Sequence, residues 1–153
     1  MTAKAYYPRA RLLLAVILLA TGCASVNDMT MKLLASGVTV YAVVGDHVLS
    51  GEATLYTDRS GTLTLAGKTG DDANCVGSMR YTSSTGGTIQ LRCSDDLQTT
   101  LAFTALTETS GHARALPGHA SLTYGLAAES ARAWLIAPAG KRLVVSGGSL
   151  RLE

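Results

Sequence analysis

The clearest pattern in the chain is CVGSMRYTSSTGGTIQLRC, residues 75–93. Its two halves alternate apolar and polar residues, which is typical of strands with one buried face. Cys75 and Met79 fall on one face of the first half, and Ile89 and Cys93 fall on one face of the second. The Ser-, Thr- and Gly-rich run between the halves favours a turn. We therefore predict a β-hairpin with one cysteine at the open end of each strand.

These two cysteines are expected to form a structural disulfide. The bond would close a loop of about 18 residues, worth about 3 kcal/mol in the chain-entropy model. A redox-active pair and a metal site are the alternatives. Redox-active pairs usually lie as close together as C-x-x-C, and metal sites usually need four ligands. The spacing of Cys75 and Cys93 therefore favours the structural disulfide.

The chain from Gly37 onwards continues in short alternating or β-branched runs, spaced about eight to twelve residues apart and separated by turn residues. One helical period, AAESARAWLI at 127–136, ends before Pro138. We predict an all-β domain, a mostly antiparallel small barrel or sandwich of about eight strands, with one C-terminal helix that packs Trp134 and Leu135 against it. The predicted strands are 38–44, 47–56, 61–66, 74–82, 87–94, 98–106, 112–116 and 121–125, with final edge strands at 142–145 and 149–152.

The N-terminus has the layout of an export signal: basic residues, then the apolar run 12–20, then small residues before Cys23. Nine apolar residues at about 1.5 Å each cover about half of a bilayer core of roughly 30 Å, so a membrane span is not expected. A cysteine directly after small residues makes this segment similar to a bacterial lipoprotein signal. The alternative is an ordinary secretory signal with an incidental cysteine.

The lipoprotein interpretation divides the chain into a signal peptide (1–22), a lipid-anchored tether (23–36) and a single β-rich domain (37–153). The residues after Cys23 are not aspartate, which by resemblance to enterobacterial sorting favours an outer-membrane lipoprotein facing the periplasm or the cell surface. The mature chain then holds 10 basic and 11 acidic residues, because three of the 13 basic residues leave with the signal. We therefore expect membrane contact through the lipid anchor on Cys23 and no nucleic-acid partner.

The three histidines do not have the spacing of a known metal motif. His112 and His119 bracket a Pro-Gly turn that a hairpin would close, while His47 lies far away in sequence. Two imidazoles without a third ligand make a poor zinc site. We therefore expect no metal and no other cofactor.

Two pairs of adjacent carboxylates, Asp71-Asp72 and Asp95-Asp96, are expected to cap turns. Neighbouring residues on a strand point to opposite faces, which is the wrong arrangement for two carboxylates flanking one bond. The sequence contains no G-x-S-x-G, and residues 67–69 complete no phosphate-binding loop. We therefore predict that the protein is not an enzyme.

Six short motifs follow one another along the chain: Gly51–Leu55, Cys75-x-Gly77, Gly86-Gly87, Cys93-Ser94-Asp95, Ser110-Gly111-His112 and Tyr124-Gly125. They resemble those of small uncharacterised proteobacterial lipoproteins, which share a C-x-G strand, a glycine-rich turn and a C-S-D return strand. That group often has glycine where this chain has Asp96. The resemblance implies a fold and a location in the envelope, and no reaction.

We expect a non-enzymatic, lipid-anchored module that binds an envelope protein or glycan. Arg80, Arg92 and Arg114 on outward faces could form a small basic stripe for an acidic partner, but an ordinary solvated sheet face is the favoured alternative. The alternative is a lysozyme-type hydrolase inhibitor, since small β-barrel lipoproteins that block host lysozymes share this size, signal and disulfide style. Ser110-Gly111 is similar to their S-G loop, so an exposed surface over Ser110, Gly111 and His112 would favour inhibition. A periplasmic hydrolase would need a histidine and a carboxylate in one pocket.

Overall fold

The computed structural model describes residues 35–67, 73–115, 118 and 120–153. The first eight strands form a closed antiparallel barrel in which each strand pairs with the next and β8 pairs with β1. This confirms the all-β prediction and selects the barrel over the sandwich. The described elements are β1 (Ser36–Val44), β2 (His47–Leu55), β3 (Ser60–Gly67), β4 (Cys75–Tyr81), β5 (Gly86–Cys93), β6 (Gln98–Thr107), β7 (Ser110–Ala115), β8 (Ala120–Tyr124), α1 (Ala128–Arg132), β9 (Leu143–Ser146) and β10 (Ser149–Leu152).

Alternate residues of each barrel strand point inwards and fill the interior, as the period of two requires. The predicted inward face of the 75–93 hairpin is confirmed, because its apolar positions are buried and its intervening polar positions are exposed. The largest interior side chains come from all parts of the barrel, and they are Val40, Leu49, Leu63, Leu65, Met79, Ile89, Leu91, Leu101, Phe103, Leu122 and Tyr124. The interior is therefore a packed core.

The C-terminal residues cover part of the barrel's outer wall. A second apolar cluster joins Val43, which points outwards from β1, to Ala131, Leu135 and Leu150. The backbone N–H of Ile136 donates to Ser121 Oγ at 2.9 Å. All five residues of β8 are therefore buried. Those that point inwards lie in the barrel core, and those that point outwards are covered by the C-terminal residues.

The predicted final edge strands at 142–145 and 149–152 are present, but neither joins the barrel sheet. β9 and β10 instead pair with each other as a separate two-stranded sheet. The physical reason is closure, since a closed barrel offers no edge with free backbone groups to a further strand.

The helix is shorter than the predicted 127–136. Ala127 is its exposed N-cap in extended conformation, and the helix ends at Arg132. Beyond it, Ile136 N bonds to Ser121 Oγ, which draws the chain off the helical path. Leu135 is buried as predicted, but Trp134 lies after the helix and stacks on His112. Among the described residues, no helix is both long and apolar enough to cross a membrane.

Candidate binding face on the barrel wall

Six outward side chains of β4, β5 and β6 form a compact array beside the disulfide, which we call the β4–β6 face. The strand register arranges them in two rows. Strand spacing and the distance between alternate residues give the array a span of about 10 Å by 7 Å. The first row contains Val76, Arg92 and Gln98, and the second contains Ser78, Gln90 and Thr100.

The β4–β6 face holds a groove of about 490 Å³, which is also lined by Gly77, Leu91 and Thr99. At Gly77 strand β4 comes very close to its neighbours, since a Cβ there would lie 2.6 Å from Leu91 Cδ2 and 2.7 Å from Gln90 O. Only a residue without a side chain allows this approach. Gly77 therefore fixes the path of the wall beneath the groove.

The lining of the groove is polar with one apolar patch. Gln90 and Gln98 are the only glutamines of the chain, and both belong to the face. Amides and hydroxyls both donate and accept hydrogen bonds, while the Arg92 guanidinium only donates. Val76 is 58% exposed, which is unusual for a branched apolar side chain. The groove can therefore hydrogen-bond a hydroxyl-rich ligand and contact a small apolar surface on it.

Positive charge dominates this part of the wall. Strands β3 to β7 contain no aspartate, glutamate or lysine, and their charged residues are Arg80, Arg92 and Arg114. Arg80 lies near Asp58: the Ser60 hydroxyl that bonds this carboxylate, and to a smaller extent Arg80, hold the pKa of Asp58 below its ordinary value. Arg92 forms no ion pair within the described part of the chain. Its side chain is exposed, so a ligand in the groove can reach it.

The predicted arginine stripe does not form as one patch. Arg80 and Arg92 are both exposed on the outer wall, as expected. However, Arg80 lies opposite Thr88 and Arg92 lies opposite Val76, so they are separated by four residues along the hairpin, or about 13 Å. The pairing register is the reason. Arg114 shares the row of Arg80, not that of Arg92.

The second predicted surface, Ser110, Gly111 and His112, is largely covered. Ser110 is 7% exposed and shares a 2.7 Å hydrogen bond with Thr107, and Gly111 is buried in β7. The His112 ring stacks on Trp134 with centroids 4.1 Å apart and an interplanar angle of 11°. Burial, and secondarily the charge of Arg114, lowers the pKa of His112. These residues do not form an exposed ridge, because strand pairing and the C-terminal segment cover them.

The predicted disulfide is confirmed, because Cys75 and Cys93 are bonded directly opposite each other in the β4–β5 ladder. Asp95 caps its turn as predicted by accepting a 3.2 Å hydrogen bond from Leu97 N. Within the described ranges, no three His, Cys, Asp or Glu side chains are grouped so that they could hold a metal. The other predicted positions lie outside the described residues: Cys23 and the whole of 1–34, Lys68, Thr69, Asp71, Asp72 and His119.

Most of the β4–β6 face was not predicted, although the sequence held a signal for it. A disulfide that joins directly opposed strand residues fixes the register of the hairpin. With Cys75 opposite Cys93, the neighbouring pair must be Val76 and Arg92. The contribution of β6, through Gln98 and Thr100, depends on the register across the next turn.

No protein-family model, no curated protein and no solved structure matches this chain.

Proposed function

We propose that the protein is a lipid-anchored component of the bacterial cell envelope that binds an envelope ligand through the β4–β6 face and catalyses no reaction. The groove on this face is the observation that carries the proposal. It combines both glutamines of the chain, the exposed Arg92 and an exposed Val76 on a wall built from paired strands. Such an array favours recognition, since the paired strands fix the backbone positions from which its side chains extend.

The proposed location in the cell envelope rests on two features of the chain. Cys23 directly follows an apolar run and small residues, which is the arrangement of a lipidated cysteine after an export signal. The Cys75–Cys93 disulfide supports export as well, because such bonds persist in oxidising compartments such as the periplasm. The residues after Cys23 favour the outer membrane.

The chemistry of the groove supports binding over catalysis. Among the described residues that line it, Arg92 is the only ionisable one, and an arginine stays protonated in proteins. The hydroxyls of Ser78 and Thr100 are not paired with a base inside the groove lining, so they have no group to activate them. The inhibitor alternative required an exposed Ser110-Gly111 ridge, and the burial of both residues does not favour it.

The lipid anchor is tested by metabolic labelling with an alkyne analogue of palmitate. We expect label in the wild-type protein and in the neighbouring control S25A, and none in C23S. Equal labelling of C23S and S25A would contradict the anchor.

The binding role is tested by photocrosslinking in growing cells. A photoreactive residue is placed at Gln90, inside the face, and separately at Glu52, which is also exposed but lies on β2. We expect a crosslinked adduct of higher mass from position 90 and none from position 52, with the adduct identified by mass spectrometry. No adduct from position 90, or equal adducts from both positions, would contradict the proposed binding face.

A further inference from the structure

We infer that the ligand of the β4–β6 face is an anionic polysaccharide, a chain of sugars carrying carboxylate or phosphate groups, and that Arg92 receives an acidic group of this chain. The inference rests on the proposed function and names its ligand class. Three observations carry it: the charge of the wall, the hydrogen-bonding array of the groove and the closure of the barrel.

The charge of the wall selects an anion. The outer surfaces of five consecutive strands, β3 to β7, present arginines and no carboxylate. Glu52 on β2 shares the row of Arg92 but is three strands away, about 14 Å across the sheet. Asp95, in the turn that follows β5, uses Oδ1 to accept a hydrogen bond from Leu97 N. Asp95 and Asp96 lie in that turn, outside the residues that line the groove, and Arg92 is the charged side chain of the described lining. An acidic group within the groove therefore meets the positive charge of Arg92.

The array of the groove suits a sugar chain. Ser78, Gln90 and Thr100 in the second row each offer both donors and acceptors, as sugar hydroxyls do. In the first row, the exposed Val76 gives the C–H face of a sugar ring an apolar contact beside the charge of Arg92. The planar guanidinium of Arg92 can bond a carboxylate or a phosphate with two parallel N–H groups.

Closure of the barrel disfavours an extended peptide as the ligand. Peptides that bind sheets commonly add a strand to a free edge and gain affinity from backbone hydrogen bonds. The backbone groups of β4 and β5 are already paired on both sides, β4 with β3 and β5, and β5 with β4 and β6. Recognition at this face must therefore come from side chains.

The disulfide holds Arg92 in place for this role. Cys93 follows Arg92 directly, and the Cys75–Cys93 bond joins the two strands at the pair next to Val76–Arg92. The Arg92 backbone is thus fixed at the end of the groove. Less conformational freedom has to be lost when the ligand binds.

The experiment measures equilibrium binding of the purified protein to four defined polymers. Polygalacturonate and phosphomannan carry the two acidic groups, and methyl-esterified polygalacturonate and neutral mannan are their uncharged counterparts. The key variant is R92Q, and R151Q is its matched control because Arg151 is an exposed arginine on β10, outside the face. Both variants lower the net charge equally.

We expect the wild-type protein to bind at least one acidic polymer more tightly than its neutral counterpart, with binding that weakens as salt is added. R92Q should lose about tenfold or more in affinity, as expected when one charge-assisted hydrogen bond is removed, and R151Q should bind like wild type. Binding to polygalacturonate identifies the acidic group as a carboxylate, and binding to phosphomannan identifies it as a phosphate.

Equal binding of acidic and neutral polymers, or equal losses in R92Q and R151Q, would overturn the inference. Its failure is distinguishable from failure of the proposed function. If no acidic polymer binds but position 90 still forms an adduct in cells, the ligand is of another class and the binding face stands. If position 90 also forms no adduct, both proposals fall.

Discussion

Tyr124 lies directly opposite Gly111 in the β7–β8 ladder, and its ring occupies the space that a side chain at Gly111 would need. A Cβ at this glycine would lie 2.5 Å from Tyr124 Oη. Phe103 and Gly87 repeat the relationship in the β5–β6 ladder, with a Cβ 2.7 Å from Phe103 Cε1. Each aromatic ring thus takes the place left by a glycine, and the two rings meet edge to face at 6.1 Å.

The first prediction concerns Gly111. G111A should lower the free energy of unfolding by about 1–3 kcal/mol, because the added methyl meets both the Tyr124 ring and the backbone oxygen of Thr104 in a packed core. The matched control is G37A, also in a strand, where a Cβ meets nothing within 4 Å. Denaturant unfolding measures both variants. Equal stability of G111A and G37A would contradict this account of the core.

The second prediction concerns Arg59, whose φ of 65° is unusual for a residue other than glycine. Arg59 Nη2 donates to Ser83 O at 2.5 Å and Ser84 O at 3.0 Å, and the guanidinium lies 4.9 Å from the centre of the Tyr81 ring. R59G keeps this backbone conformation accessible but removes these contacts, so stability should fall by about 1–2 kcal/mol. A thermal midpoint equal to or above that of wild type would contradict the prediction that these contacts outweigh the backbone strain that glycine relieves.

The third prediction concerns Asp96, which has a φ of 60° and is the other non-glycine residue with a positive φ in the described part of the chain. The adjacent Asp95 makes the hydrogen bond to Leu97 N, so glycine at position 96 should relieve strain and leave that bond intact. D96G should therefore be as stable as wild type or more stable by up to about 1 kcal/mol. A loss as large as that of R59G would contradict this interpretation.

The fourth prediction concerns the disulfide. Thiol titration of the unreduced protein should detect no reactive thiol from Cys75 or Cys93, which are bonded with their Cα atoms 4.0 Å apart. The double variant C75A/C93A should lose about 3 kcal/mol of stability, since the bond restricts a loop of 18 residues in the unfolded chain. Two titratable thiols in unreduced protein would contradict this prediction, because the disulfide that joins β4 and β5 beside the groove would then be absent.

The fifth prediction concerns pH and His112. Because burial lowers the pKa of His112 in the folded protein, the unfolded chain takes up this proton first as pH falls. The stabilising contribution is therefore complete above about pH 6.5 and is lost as pH falls through the lower folded pKa. H112Q should show a smaller loss of stability between pH 7 and pH 5 than wild type. Fluorescence of Trp134, the only tryptophan, follows unfolding. Identical dependence of stability on pH in wild type and H112Q would contradict this role of His112.

Local pattern was enough to predict the strands and the disulfide, because alternation with period two and turn residues are properties of neighbouring residues. The path of the C-terminal hairpin could not be predicted in this way, since β9 and β10 are separate only because β8 closes the barrel onto β1. The helical period predicted Trp134 as part of the helix, yet Trp134 lies after the helix and stacks on His112 of β7.

The candidate face shows the same limit. The sequence indicated that Arg92 points outwards, and the structure agrees. The grouping of Arg92 with Gln98 depends on the register between β5 and β6, and the groove depends on how closely β4 approaches Leu91 at Gly77. Both are relationships across strands, and an alternation pattern within one strand contains no information about them.

The most direct measurement is an NMR titration that follows the side-chain amides of Gln90 and Gln98 while polygalacturonate or phosphomannan is added. These are the only glutamine amides in the chain, and Asn74 outside the groove lining provides the reference amide. With at least one acidic polymer we predict shifts of both glutamine signals, an unchanged Asn74 signal, and no response to the neutral counterpart. Unchanged glutamine signals, or equal shifts of all three side chains, would contradict the account that the β4–β6 face binds an anionic polysaccharide.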